Sequence, residues 1–160
     1  MRHLHVAARI VQEQSPITDA PNPQRRVTRI LAVDDFEPIC FLVSSLLHER
    51  PDLHVVCWAS DGLQAVEKAQ ELKPDLILMD IGLPELNGIE AARRILTLAP
   101  DSKIIFLTQE SSREVRQEAM SLGACGYVLK AQAETDLLAA VEAVLQGKPF
   151  FNDGAGRRGC

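Results

Sequence analysis

The 160-residue chain is poor in several features that mark common protein classes. Its four cysteines, Cys40, Cys57, Cys125 and Cys160, are far apart and form no CxxC pair. That spacing fits neither a zinc site nor a disulfide framework, and it suits a reducing cytosol. The four histidines give no metal-ligand spacing, since His3 and His5 lie near the start while His48 and His54 are isolated. No apolar run reaches the roughly 18–20 residues that a membrane span requires. Aromatic residues make up only 4% of the chain, with one Trp and one Tyr. Positive charge is also in deficit: 17 Lys and Arg stand against 22 Asp and Glu, for a net charge of −5. That balance argues against nucleic-acid binding through overall charge. There is no internal repeat and no low-complexity block.

What is present indicates one globular domain, with 46% hydrophobic and 24% charged residues, both near the globular average. The charge is uneven. Residues 1–29 hold five arginines against Glu13 and Asp19, a net +3 that leaves −8 for the remainder. This segment also carries Pro16, Pro21 and Pro23 and has no sustained apolar period, so residues 1–28 read as a flexible tail. A basic arm touching membrane or nucleic acid and a misplaced start codon are the two alternative readings. A secretory signal is disfavoured because Arg9 interrupts the Leu4–Val11 stretch.

From Arg29 onward short apolar runs alternate with helical spacing. Ile30–Val33, Leu53–Trp58, Asp75–Met79, Lys103–Leu107 and Gly126–Leu129 read as strands buried on both faces. Between and after them, apolar positions at helical spacing mark five helices, punctuated by Pro51, Pro74, Pro100 and Gly147. Pro38 sits where a first-turn proline is tolerated, and Ser111 with Glu114 has capping-box spacing. Strict alternation implies a parallel sheet with helices on both faces, because parallel strands need crossovers. The thirteen residues after Gly147 are too few for a second domain, so 149–160 read as a C-terminal tail.

Ligands of open parallel sheets bind beyond the carboxyl ends of the strands. Those ends carry Asp34 and Asp35, then Asp80, Thr108 and Lys130. Crowded carboxylates repel unless a cation lies between them. An all-oxygen donor set selects a hard cation, and Mg²⁺ is the usual one where phosphate is handled. A strand-end carboxylate can then attack a phosphoryl group and become an aspartyl phosphate, with Lys130 offsetting charge and Thr108 donating a hydrogen bond. Singly, each residue has an ordinary structural role: Asp34 or Asp35 as a helix cap, Asp80 in a turn, Thr108 in a strand, Lys130 as a solvated strand end. Together, in this order, they make a site.

These residues resemble the response-regulator receiver domains of two-component signalling, and the resemblance covers about residues 30–148. It rests on Leu31-Ala32-Val33-Asp34-Asp35, on the stretch from Leu76 through Asp80, Gly82 and Pro84 to Gly88, on Ile105–Thr108 and on Gly126–Lys130. The style of Met79–Ile95 and of Leu129–Gly147 is closest to the NarL/FixJ subfamily. The resemblance implies a flavodoxin-like (βα)5 doubly wound parallel sheet of order 2-1-3-4-5. It implies phosphorylation of Asp80 by a histidine kinase or phosphotransfer protein, with Mg²⁺ held by Asp34, Asp35, Asp80 and the Gly82 carbonyl. Asp35 would be the direct ligand of the acidic pair, and Asp34 would act through water. Thr108 and Tyr127 match the switch hydroxyl and switch aromatic, and Lys130 the phosphate-pairing lysine. Cytoplasmic location follows, as does a partner-binding face at the fourth helix, fifth strand and fifth helix; a homodimer through that face is left open.

Three features depart from the family. Gln109 stands where a small residue is usual and could slow phosphoryl access or hydrolysis. Ala131 replaces a proline common in CheY-like members. The chain stops where the helix-turn-helix domain usual in NarL/FixJ members would begin, as in a stand-alone receiver or a truncated regulator, so direct DNA binding by this chain is not expected. A haloacid-dehalogenase-type phosphatase uses similar groups, but its nucleophile lies on the first strand and its acidic pair comes late, the reverse of the order here. A receiver that never takes a phosphate is argued against by the complete residue set.

Overall fold

The computed structural model describes residues 26–152 and 158–159. Five strand–helix units follow one another: β1 (Thr28–Val33), α1 (Glu37–His48), β2 (Leu53–Ala59), α2 (Gly62–Leu72), β3 (Leu76–Met79), α3 (Gly88–Leu98), β4 (Lys103–Thr108), α4 (Arg113–Leu122), β5 (Gly126–Leu129) and α5 (Ala133–Leu145). A single 3₁₀ turn, Lys130–Gln132, leads into α5. Two short strands follow, β6 (Phe150–Asn152) and β7 (Arg158–Gly159). The sheet order is β2-β1-β3-β4-β5-β6-β7, parallel through β6, which contains the expected 2-1-3-4-5 arrangement.

Strand periodicity divides the core into two layers. Leu31, Val33, Ile77, Met79, Ile104, Phe106 and Tyr127 point to the face covered by α2, α3 and α4. Ile30, Leu76, Leu78, Ile105, Leu107 and Val128 point to the opposite face, under Val43 and Leu47 of α1 and Leu137, Val141 and Val144 of α5. Burial on both faces is why the strands read as unbroken apolar runs.

The helix ends have identifiable causes. Asp61, Asn87 and Ser112 cap α2, α3 and α4 by accepting from Gln64, Glu90 and Val115 N–H. The cap of α4 is therefore Ser112, one residue later than the expected Ser111 and Glu114 box. Glu110 takes the Ser112 N–H instead, at 3.1 Å. Gly123 ends α4 and Gly147 follows α5, both at positive φ, where a side chain would be strained.

Beyond one-residue extensions of β2 to Ala59 and of β4 to Thr108, three boundaries differ from expectation. β1 begins at Thr28, inside the expected tail, and Asp75 fixes this start by accepting from Arg29 N–H (2.8 Å) and from the Arg26 guanidinium (2.6 Å). Residues 1–25 of that tail lie outside the described residues. Asp75 itself precedes β3, which begins at Leu76. The segment expected as a C-terminal tail supplies β6, with Phe150 and Phe151 both buried. The Phe-Phe run is too short to signal a strand by period and acquires one only by pairing with the open edge of β5.

Candidate functional site

Strand register builds the site. Val33 pairs with Met79, so Asp34 and Asp80 leave adjacent strands side by side. Their amides are spent on the sheet: Asp34 N–H donates to Ala59 and Asp80 N–H to Val33, each at 3.0 Å. Thr108 pairs with Leu129, so Lys130 emerges one residue past the end of the β4–β5 ladder. The side chains are thus aimed by strand ends that cannot drift without breaking the sheet.

Lys130 Nζ lies 2.9 Å from Asp34 Oδ2 and 2.9 Å from Asp80 Oδ2. Asp34 Oδ1 accepts from Phe36 N–H (2.9 Å), turning the chain into α1, and Asp80 Oδ1 accepts from Ile81 N–H (2.7 Å). Asp34 and Asp80 are buried and Asp35 is exposed, yet one carboxylate oxygen from each lies within 4.8 Å of the others. Burial pushes the Asp34 carboxyl above its usual range despite the bonds from Lys130 and Phe36 N–H, and the Asp80 charge adds to the rise. Burial pulls Lys130 down, but its hydrogen bonds to Asp34 and Asp80 outweigh that pull and hold the ammonium above its ordinary value. A cationic clamp between two buried carboxylates is the result.

An open cleft of about 600 Å³ lies over this cluster, lined by Asp35, Phe36, Ile39, Asp80, Gly82, Gln109, Lys130 and Ala131. Gly82 needs no small side chain for packing, since a Cβ there would meet nothing within 4 Å. Gly88 and Gly62 do. A Cβ on Gly88 would stand 2.0 Å from the Asp80 carbonyl oxygen, and one on Gly62 would stand 1.8 Å from the Leu86 carbonyl oxygen. The loop between β3 and α3 is clamped by these approaches and by Gly88 N–H donating to Ile81 (2.7 Å). Asp80 is therefore fixed from both sides of the chain.

Of the residues expected from sequence, Asp34, Asp35, Asp80 and Lys130 converge, and Gly82 lies beside them on the cleft wall. Thr108 and Tyr127 do not line the cleft; they meet at Glu110. Thr108 Oγ1 accepts from Glu110 N–H (3.2 Å), and Tyr127 OH donates to the Glu110 carbonyl (2.6 Å). The Tyr127 ring is fully buried, tilted 57° against Phe106 at 6.3 Å between centroids. Burial, then the Glu110 charge, pushes its phenol up to about 12. The sequence does not mark Glu110 for this role, because a bridge through backbone atoms has no signature in side-chain type. Phe36, a half-exposed aromatic on the cleft wall, was also missed, although it directly follows the acidic pair.

The comparisons agree with this geometry. The profile of the response regulator receiver domain family matches residues 30–142. A protein-glutamate methylesterase/protein-glutamine glutaminase of Thermotoga maritima is 43% identical over 114 residues, 70% of this chain and 33% of its own length. The transcriptional regulatory protein LiaR of Bacillus subtilis is 36% identical over 121 residues, 76% of this chain and 57% of its own. The chain thus spans about a third to three fifths of the length of the curated relatives it matches. Among solved structures, a LuxR-family two-component response regulator from Aurantimonas sp. SI85-9A1 superposes with a TM-score of 0.74 at 32% identity, covering 79% of this chain and 90% of that one. The response regulator domain of Thermotoga maritima CheB gives 0.71 at 36% identity, covering 78% and 100%. With the CheY-like sheet, the acidic pocket of Asp34, Asp35 and Asp80 and the family match over most of its length, the chain belongs to the response regulator receiver domain family.

Proposed function

We propose that this receiver is a phosphorylation-activated switch that accepts a phosphoryl group on Asp80 from a histidine kinase or phosphotransfer protein. The observation that carries the reading is Lys130 Nζ at 2.9 Å from both Asp34 and Asp80, at the floor of an open cleft. An Asp80 oxygen attacks phosphorus, the P–N bond to the donor imidazole breaks, and an acyl phosphate forms on Asp80. Lys130 holds the carboxylate before attack and offsets charge on the phosphoryl oxygens afterwards. The Thr108 hydroxyl, bound to Glu110 N–H in this structure, turns to donate to a phosphoryl oxygen.

The donor set fits Mg²⁺ in kind: it is all oxygen, with one carboxylate oxygen from each of Asp34, Asp35 and Asp80 within 4.8 Å of the others. Asp34, Asp35, Asp80 and the Gly82 carbonyl would hold it, with Asp35 direct and Asp34 through water. When bound, the ion supplies positive charge to phosphoryl oxygens. In this reading the chain acts as a phosphoacceptor and not as an enzyme on an external substrate.

Partner choice then follows from the face formed by α4, β5 and α5, whose shape depends on Tyr127, and a homodimer through that face belongs to the same proposal. Gene regulation and methylesterase activity are properties named for the relatives and are not carried over. Among the described residues no helix is long and apolar enough to cross a membrane; we place the switch in the cytoplasm, where its phosphodonors act. The test is incubation with acetyl phosphate and Mg²⁺, read by intact mass. One phosphoryl adduct is expected, and none in Asp80→Asn. An adduct that persists in Asp80→Asn refutes the assignment.

A further inference from the structure

The strand that follows α5 stands against the switch aromatic. β6 pairs in parallel with β5, Gly126 facing Phe150 and Tyr127 facing Phe151. Phe150 N–H donates to the Cys125 carbonyl at 3.0 Å, and Gly126 leaves so little room that a Cβ there would stand 3.2 Å from the Phe150 carbonyl oxygen. Phe150 and Phe151 are only 4% and 7% exposed and enter different layers of the core. Phe150 joins the layer of Ile105, Val128, Leu137 and Val144. Phe151 joins the layer that contains Tyr127 and Phe106. Register partners on neighbouring parallel strands project to the same face about 4.8 Å apart. Phe151 therefore occupies the ground beside Tyr127 at the side of β5 that would otherwise be the open edge of the sheet.

We propose that Phe151 on β6 is a positioning residue for the phosphorylation switch: docked β6 holds the Tyr127 ring in its buried position, and Asp80 phosphorylation and β6 docking reinforce each other. This rests on Asp80 being the phosphoacceptor. The link runs through one peptide unit. Glu110 N–H engages Thr108 Oγ1 and the Glu110 carbonyl engages Tyr127 OH, so a Thr108 hydroxyl drawn to the phosphoryl group changes the segment that anchors the phenol. A ring leaving the interior past the edge of β5 meets Phe151, and β6 must loosen to admit it. Both events favour the same ring position, and coupling of this kind is reciprocal.

The test uses the full chain and two readouts. Acetyl phosphate with Mg²⁺, read by intact mass, reports the adduct on Asp80. Amide exchange at Phe150 and Phe151, with and without beryllofluoride and Mg²⁺, reports β6 docking. Exchange at these amides is expected to slow on the order of tenfold with beryllofluoride, and not at all in Asp80→Asn. By reciprocity Phe151→Ala weakens beryllofluoride binding by a similar factor, about tenfold, and Phe151→Leu recovers most of it. An adduct on Asp80 with unchanged exchange at β6 in the parent protein overturns this inference while leaving the phosphoacceptor reading intact. Lack of any adduct overturns both. Because the exchange measurement needs no variant, a folding defect in Phe151→Ala does not rescue the inference.

Discussion

Removing Lys130 tests the charge balance on which the site depends. The lysine side chain is 13% exposed, and the carboxylates it bridges, Asp34 and Asp80, are 4% and 7% exposed. At 2.9 Å each contact is worth about 6 kcal/mol of gross attraction at an effective dielectric of about 20, most of it offset by desolvation of the three groups. Lys130→Ala leaves two buried carboxylates facing each other beside Asp35. Breaking such a cluster costs about 3–5 kcal/mol, and the lower end applies because Asp34, already raised by burial, can take up a proton. A loss of about 3 kcal/mol is therefore expected in urea unfolding at neutral pH with chelator present. Mg²⁺ should recover part of it. Three carboxylates without the lysine attract a dication more strongly than three with it, and a tenfold gain in affinity returns about 1.4 kcal/mol at saturation. The stability gap should thus shrink by roughly half on adding Mg²⁺, while acetyl phosphate labelling falls. A Lys130→Ala variant as stable as its parent in chelator, or a gap indifferent to Mg²⁺, would refute the clamp.

Three further outcomes are expected. Tyr127 is the one tyrosine in the sequence, so tyrosinate absorbance follows it alone. Its midpoint should lie near 12 in the folded protein against about 10 in denaturant. The folded pKa is the higher one, so this group's contribution to stability is complete below pH 10 and is lost as pH rises through 12; a folded midpoint near 10 contradicts the buried phenol. Gly88→Ala drives a methyl into the Asp80 backbone and should cost at least about 2 kcal/mol, whereas Gly82→Ala, with open space around it, should change stability by less than about 0.5 kcal/mol; equal effects in thermal unfolding would contradict the clamped loop. Gln109 lines the cleft, and Gln109→Ala should speed acetyl phosphate labelling severalfold. Unchanged labelling and dephosphorylation rates would show that the side chain is no barrier.

The sheet and the acidic cluster were legible in the sequence because strand periodicity and strand-end chemistry are local properties. Buried parallel strands must be apolar on both faces, so Ile30–Val33 and Leu76–Met79 are marked by composition alone, and the residue after each run is where a ligand side chain must stand. Asp34, Asp80 and Lys130 could be named as neighbours once the family resemblance ordered the strands. Distances, burial and partners could not. Ser111 rather than Ser112 looked like the cap of α4 because the spacing to an acid was right, yet the chain turns one residue later, where Glu110 can take the Ser112 amide. Thr108 and Tyr127, nineteen positions apart, meet on the peptide of Glu110, a contact made by backbone atoms that every residue type carries. β6 was hidden for a related reason. A three-residue strand has too little period to announce itself, and Phe150 and Phe151 enter the core only because β5 offers an unpaired edge. The sequence by itself determined which residues are apolar, which strand ends carry charge and in what order. Tertiary structure alone decided which of those charges share a water-poor interior with a lysine, which backbone groups link the hydroxyl to the aromatic, and where the last strand docks, because each depends on atoms brought together from distant parts of the chain.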